Sequence, residues 1–255
     1  MIPTPTIPPL LAITRRISLL IVVLLFVTAC RLSSDYFASL PVLLLHIEML
    51  VDRSGSYPAL ATALASACGI ATQLQPGDEM RARFITERSY GSNAVFLRVS
   101  LPHISESGGI VSPELKSQRD SVDRAIDAQR RHACGGLPPA SKVRRASGTD
   151  VVGALAAAAA ALRSAPSNAR RVLVVASDLE DNIDGGNVRI DLTGVTVRFV
   201  AIESSHGRVE DIQRNVDRWS AKLIAMGATD VTLVPPGEQL DLAVLRTVSR
   251  DSTRR

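Results

Sequence analysis

Aromatic residues are scarce in this 255-residue chain: one Trp, three Tyr and five Phe, 4% of the total. Its core must be packed mainly from Val, Leu, Ile and Ala. The same shortage argues against a surface that stacks nucleobases on aromatic rings. Histidines are few, and His46, His103, His132 and His206 stand singly. The three cysteines, Cys30, Cys68 and Cys134, form no CxxC pair, so no zinc-site spacing exists. The chain has no internal repeat, and its one low-complexity run, Ala156–Ala161, is explained by the helix propensity of alanine.

What remains is a globular composition, with 46% apolar and 21% charged residues. The formal net charge is +4, but Arg15 and Arg16 fall in an N-terminal segment expected to be removed, which leaves a near-neutral body. Nucleic acid is therefore not an expected partner. The basic runs at 130–134 and "SKVRR" (141–145) read as solvated loop charges.

The segment "TRRISLLIVVLLFVTAC" (14–30) joins a basic pair to an apolar stretch and a small-residue end. The stretch 17–27 is about half the length needed to span a bilayer as a helix, which fits a secretory signal over residues 1–29. "VTAC" (27–30) resembles the lipobox of bacterial lipoproteins, which implies acylation of Cys30, a lipidated tether over 30–41 and a location in the bacterial cell envelope outside the cytoplasm. Arg31 stands where an inner-membrane retention signal usually has Asp, so the periplasmic face of the outer membrane is expected if the source is Gram-negative. In an oxidising compartment Cys68 and Cys134 remain as an even pair, able to close one disulfide or to stand as two buried thiols.

Along the body, residues 41–51 read as a strand, most securely from Ile47 because His46 and Glu48 interrupt the apolar run. A helix follows over 56–74 with Pro58 in its first turn. Strands at 79–89 and 94–101 form a hairpin. A polar helix with a thin apolar stripe (Leu115, Val122, Ile126) covers 113–132, and 134–142 is a loop by composition. A strong helix over 149–162 has Thr149 near its N-cap. Strands at 170–178, 195–202 and 230–234 alternate with helices at 209–224 and 238–249, the first placing Val209, Ile212, Val216, Trp219 and Leu223 at helical spacing. This order predicts an α/β fold over 42–250, Rossmann-like, with a mostly parallel central sheet flanked by helices.

In such sheets ligands gather beyond the carboxyl ends of the strands. Asp52 in "LVDRSGSY" (50–57) stands at one such end and Asp178 in "VVASDLEDN" (174–182) at another, while Thr149 in "SGTD" (147–150) opens the helix before the Asp178 strand. With Ser54 and Ser56 these make two carboxylates and three hydroxyls, an all-oxygen set suited to Mg2+, with Mn2+ or Ca2+ as alternatives. Glu180, Asp181 and Asp184 read as an acidic rim. Taken together and in order, the three motifs resemble the metal-ion-dependent adhesion site of von Willebrand factor type A domains, and the element order fits that family over nearly the whole body. The resemblance implies a binding module rather than an enzyme, with Asp52, Ser54, Ser56, Thr149 and Asp178 around a cation that takes an Asp or Glu carboxylate from a protein partner. Two departures stand out: Leu179 occupies a position where the family commonly has glycine, and the connection 102–147 is enlarged.

Two other readings fit parts of the same pattern. An aspartate at a strand end also opens the haloacid-dehalogenase-type phosphatases, which would make Asp52 the nucleophile of a magnesium-dependent hydrolase. Those enzymes need a second carboxylate two residues on, where this chain has Ser54. The other reading is a structural lipoprotein that uses the fold without metal.

Overall fold

A computed structural model describes residues 43–89, 91, 94–102, 113–180, 188–203 and 208–247. The architecture below is that of the unit Leu43–Arg255. The unit Met1–Val42 lies outside the described residues, and with it the expectations for the signal, Cys30 and the tether.

The chain runs β1 (Leu44–Asp52), α1 (Leu60–Gln73), β2 (Glu79–Ile85), β3 (Val95–Ser100), α2 (Pro113–Gly135), α3 (Val151–Arg163), β4 (Ala169–Ala176), β5 (Val195–Phe199), α4 (Val209–Ala225), β6 (Asp230–Leu233) and α5 (Leu242–Thr247). The six strands form one sheet in the order β3-β2-β1-β4-β5-β6. Only β3 is antiparallel, paired to β2 as the expected hairpin. This is a doubly wound order that reverses direction between β1 and β4, the place where such sheets open a crevice at their carboxyl edge.

Strands buried on both faces explain the near-continuous apolar runs. Ile47, Met49 and Val51 of β1 join Val172 and Val174 of β4 under α1. Leu50, Leu173 and Val175 join Val197 and Phe199 under α3 and α4. On α1 the buried set is Leu60, Ala63, Leu64, Ala67, Ile70 and Ala71, a stripe at i, i+3, i+4 and i+7. On α3 the small side chains of Ala154, Ala158 and Ala159 are buried against the sheet.

Several local expectations are corrected. β1 does not weaken at His46 and Glu48 but runs through both. Glu48 is fully buried because Arg81 Nε lies 2.5 Å from its Oε1 and Arg83 Nη2 3.3 Å from its Oε2, both from the neighbouring strand. A buried charge is tolerated when a partner of opposite sign arrives with it. Pro58 precedes α1 instead of sitting in its first turn, and Val209 is largely exposed at the start of α4. Thr149 does stand next to the N-cap of α3, which is Asp150, whose carboxylate accepts from Gly153 N at 2.7 Å. A Cβ on Gly153 would lie 2.0 Å from Asp150 Oδ2, so the cap needs glycine there.

The enlarged connection has an anchor that its polar composition concealed. Within α2, Ile126 and Ala133 are buried in the core beside α1, and Arg130 Nε donates to the Leu74 carbonyl at 3.1 Å. Cys134 near the end of α2 forms a disulfide with Cys68 in the middle of α1. By the chain-entropy argument, closing that loop contributes roughly 4 kcal/mol.

Candidate metal centre

β1 delivers Asp52 to the carboxyl edge of the sheet with its side chain fully buried. A carboxylate in that position needs donors, and Ser54 and Ser177 supply them. Its Oδ1 accepts Ser54 N at 2.7 Å, which turns the chain immediately after the strand. Its Oδ2 accepts the Ser177 hydroxyl at 2.7 Å, which ties β1 to the end of β4. From Ser54 the chain of oxygens continues: Ser54 Oγ lies 3.0 Å from Ser56 Oγ, and the Ser56 hydroxyl donates to Asp178 Oδ2 at 2.7 Å. Asp178 Oδ1 accepts Glu180 N at 3.0 Å. Four of the five expected site residues thus stand in one continuous hydrogen-bonded set at the switch point.

The fifth, Thr149, is fully buried in the loop that lies along the first motif. Ala146 forms a bridge with Ser54, its N–H donating to the Arg53 carbonyl at 2.9 Å. Arg145 Nη1 donates to the carbonyls of Ser54 at 3.0 Å and Tyr57 at 2.8 Å. Asp150 N donates to the Thr86 carbonyl at 3.0 Å. The run "SKVRR" therefore ends in a brace for the site, where its composition had pointed to solvated charge.

Several contributors were not legible beforehand. Ser177 stands next to Asp178, but nothing local shows that it serves Asp52. Leu179 keeps the backbone shape for which glycine is common: its φ is 61°, in the left-handed region that usually excludes branched side chains. That conformation carries a penalty of roughly 1–2 kcal/mol. It is offset by a fully buried side chain, by its N–H donating to Ser177 Oγ at 2.9 Å, and by its carbonyl accepting from Trp219 Nε1 at 2.9 Å. Ala201, just beyond β5, repeats the device with φ 47° and a carbonyl that accepts the Tyr57 hydroxyl at 2.7 Å. Glu180 is exposed, as a rim residue should be; Asp181 and Asp184 lie outside the described residues.

The electrostatics bear on whether a cation fits. Burial, with a smaller contribution from the Asp178 charge, pushes Asp52 up to about 6 against the hydrogen bonds from Ser54 and Ser177. Two carboxylates here share one hydroxyl-lined space. Among the described residues no group of three or more His, Cys, Asp or Glu side chains converges to hold a metal. The donor set is instead carboxylate plus hydroxyl, hard oxygen throughout, which suits a magnesium-like ion that retains waters.

No protein-family profile and no curated protein matches this chain. Among solved structures it is similar to a von Willebrand factor type A protein from Catenulispora acidiphila (15% identity, TM-score 0.41), covering 80% of this chain and 40% of that one. It is also similar to the pilus adhesin SpaC from Lactobacillus rhamnosus GG in its open conformation (13%, TM-score 0.42, 76% and 28%). A third is the manganese-loaded TRAP protein of Plasmodium vivax (17%, TM-score 0.31, 67% and 61%). The chain thus spans less than two thirds of each of these proteins. The fold assignment rests on the sheet order itself.

Two expectations follow from this geometry. With its carboxyl raised to about 6, Asp52 contributes stability to the metal-free protein that is full below its ordinary value near 3.8 and is lost as pH rises through 6. A cation bound here would have to displace that proton, so any stabilisation by magnesium should grow between about pH 5 and about pH 7.5. Melting curves with and without magnesium across that range check it, and a stabilisation that does not vary with pH would contradict it. Separately, Trp219→Phe removes the donor that holds Leu179, so stability should fall by about 1–3 kcal/mol. An unchanged denaturant midpoint in that variant would show that the turn holds itself.

Proposed function

We propose that this chain is an extracytoplasmic, membrane-anchored binding module of the von Willebrand factor type A kind, which uses a divalent cation to take a carboxylate from a protein partner. The observation that carries this reading is the continuous oxygen set Asp52–Ser54–Ser56–Asp178, held at the switch point of a doubly wound sheet. Asp52, Ser54, Ser56, Thr149 and Asp178 would hold the ion, directly or through water. A cation with mostly neutral hydroxyl donors keeps enough positive character to attract an Asp or Glu side chain from outside. The burial of Asp52, with both oxygens engaged by Ser54 and Ser177, disfavours its use as a phosphatase nucleophile.

Replacing Ser54 and Ser56 together with Ala removes two donors at constant charge and leaves the core untouched. Calorimetric titration of magnesium should show affinity at least about tenfold weaker than wild type, about 1.4 kcal/mol, and Asp178→Ala should also weaken it. Equal affinity in all three proteins would remove the cation and this function with it.

The anchoring half of the proposal rests on Cys30 and the apolar segment before it. Metabolic labelling with a radioactive fatty acid should mark the wild-type protein and not Cys30→Ser. Label retained in the variant would overturn the lipid anchor.

A further inference from the structure

Between Asp52 and Ser54 stands Arg53, which the oxygen set does not use. Its guanidinium carbon lies 5.6 Å from the centroid of the Phe84 ring, and Phe84 stacks on Phe96 at 4.1 Å. The arginine therefore has a flat aromatic seat, which holds the cation in one place without neutralising it. Its Nε is buried, and among the described residues nothing accepts from it. Nor does Arg53 enter any ion pair among those residues. Glu87 is near enough to interact electrostatically. Its Oε1 is instead engaged by Ser147, from the backbone N–H at 2.6 Å and from the hydroxyl at 2.8 Å.

Further arginines lie on the segments beside this loop. Arg145 braces the same loop, and Arg144 and Arg88 are exposed on the segments that flank it. A seated guanidinium is a fork that matches a carboxylate with two parallel hydrogen bonds. The Nε is closed off by the fold, so a carboxylate arriving at this half-exposed side chain is met by the two Nη groups.

We infer that Arg53 is a specificity-determining residue that takes a second acidic group of the partner, beside the one taken by the cation. The partner segment is then diacidic, with neighbouring Asp or Glu residues, and a lone carboxylate is a poor ligand. This rests on the cation-binding reading above for the first carboxylate, but the Arg53 seat exists in the loop with or without metal.

The test compares two peptides, Ac-Gly-Asp-Asp-Gly-NH2 and Ac-Gly-Asp-Ala-Gly-NH2, by NMR titration of the full body of the protein with magnesium. The diacidic peptide should bind about fivefold or more tightly than the monoacidic one. Arg53→Gln should bring that ratio to about one, and Arg53→Lys, which keeps charge without the fork, should leave it in between. A ratio that survives in Arg53→Gln, or no preference in the wild type, overturns the inference. Magnesium affinity is measured alongside by calorimetry: if the wild type binds none, the proposed function falls. The Arg53 seat is then judged on protein stripped of metal by dialysis, where the diacidic peptide should still shift the Arg53 Nε–H resonance. Silence of that resonance overturns the inference whatever the metal does.

Discussion

A carboxylate buried at the end of the central strand has to be answered by donors, and the answer found by Asp52 organises everything around it. One oxygen takes the N–H two residues on and so bends "DRSGS" back over the strand end. The other takes the hydroxyl of Ser177 and so fastens β1 to β4 across the switch point. Because the sheet order reverses there, the connections on the two sides leave in opposite directions and a crevice opens at the carboxyl edge. Even so the arrangement is tense. Burial raises Asp52, and a second carboxylate, Asp178, shares the space through the hydroxyl of Ser56.

The loops at this edge are held open by side chains from elsewhere. Leu179 and Ala201 follow adjacent parallel strands, both in left-handed backbone, and each carbonyl is taken by a buried aromatic donor, Trp219 Nε1 and Tyr57 Oη respectively. In a chain so poor in aromatics, two of its largest rings are committed to fixing backbone beside the site. That is a rigid form of support, since a ring packed on all sides and hydrogen-bonded at its tip has few ways to move. A glycine after Asp178 would reach the same φ without strain, but it would bring no side chain to the core. Leucine trades ease of conformation for burial.

Away from the edge, stability is drawn from two sources that the apolar core does not include. The charged ladder of Glu48 with Arg81 and Arg83 crosses from β1 to β2 under α3, where alanines leave room for it. The disulfide from Cys68 to Cys134 fastens the polar α2 to α1, so that a helix with a thin apolar stripe is held to the domain. Neither element touches the oxygen set, which leaves the site free to respond to charge without loosening the frame.

The order of elements and the doubly wound class were readable from the sequence alone, because apolar spacing reports burial directly: continuous runs for strands covered twice, and a helical spacing for Val216, Trp219 and Leu223. The positions of Asp52, Ser54, Ser56 and Asp178 were readable for the same reason, since they follow where those runs stop. What the sequence did not determine is which groups meet. Ser177 reaches Asp52 across 125 residues, Ser56 reaches Asp178 across 122, Trp219 reaches Leu179 across 40, and Arg83 reaches Glu48 across 35. No local pattern encodes such partners. His46 and Glu48 looked like interruptions of a strand because their partners lie on another one, and the cap beside Thr149 is Asp150, for whose carboxylate Gly153 leaves room. Periodicity measures how much of a residue is buried; only the tertiary structure decides against what, and the chemistry of this site lies in those pairings.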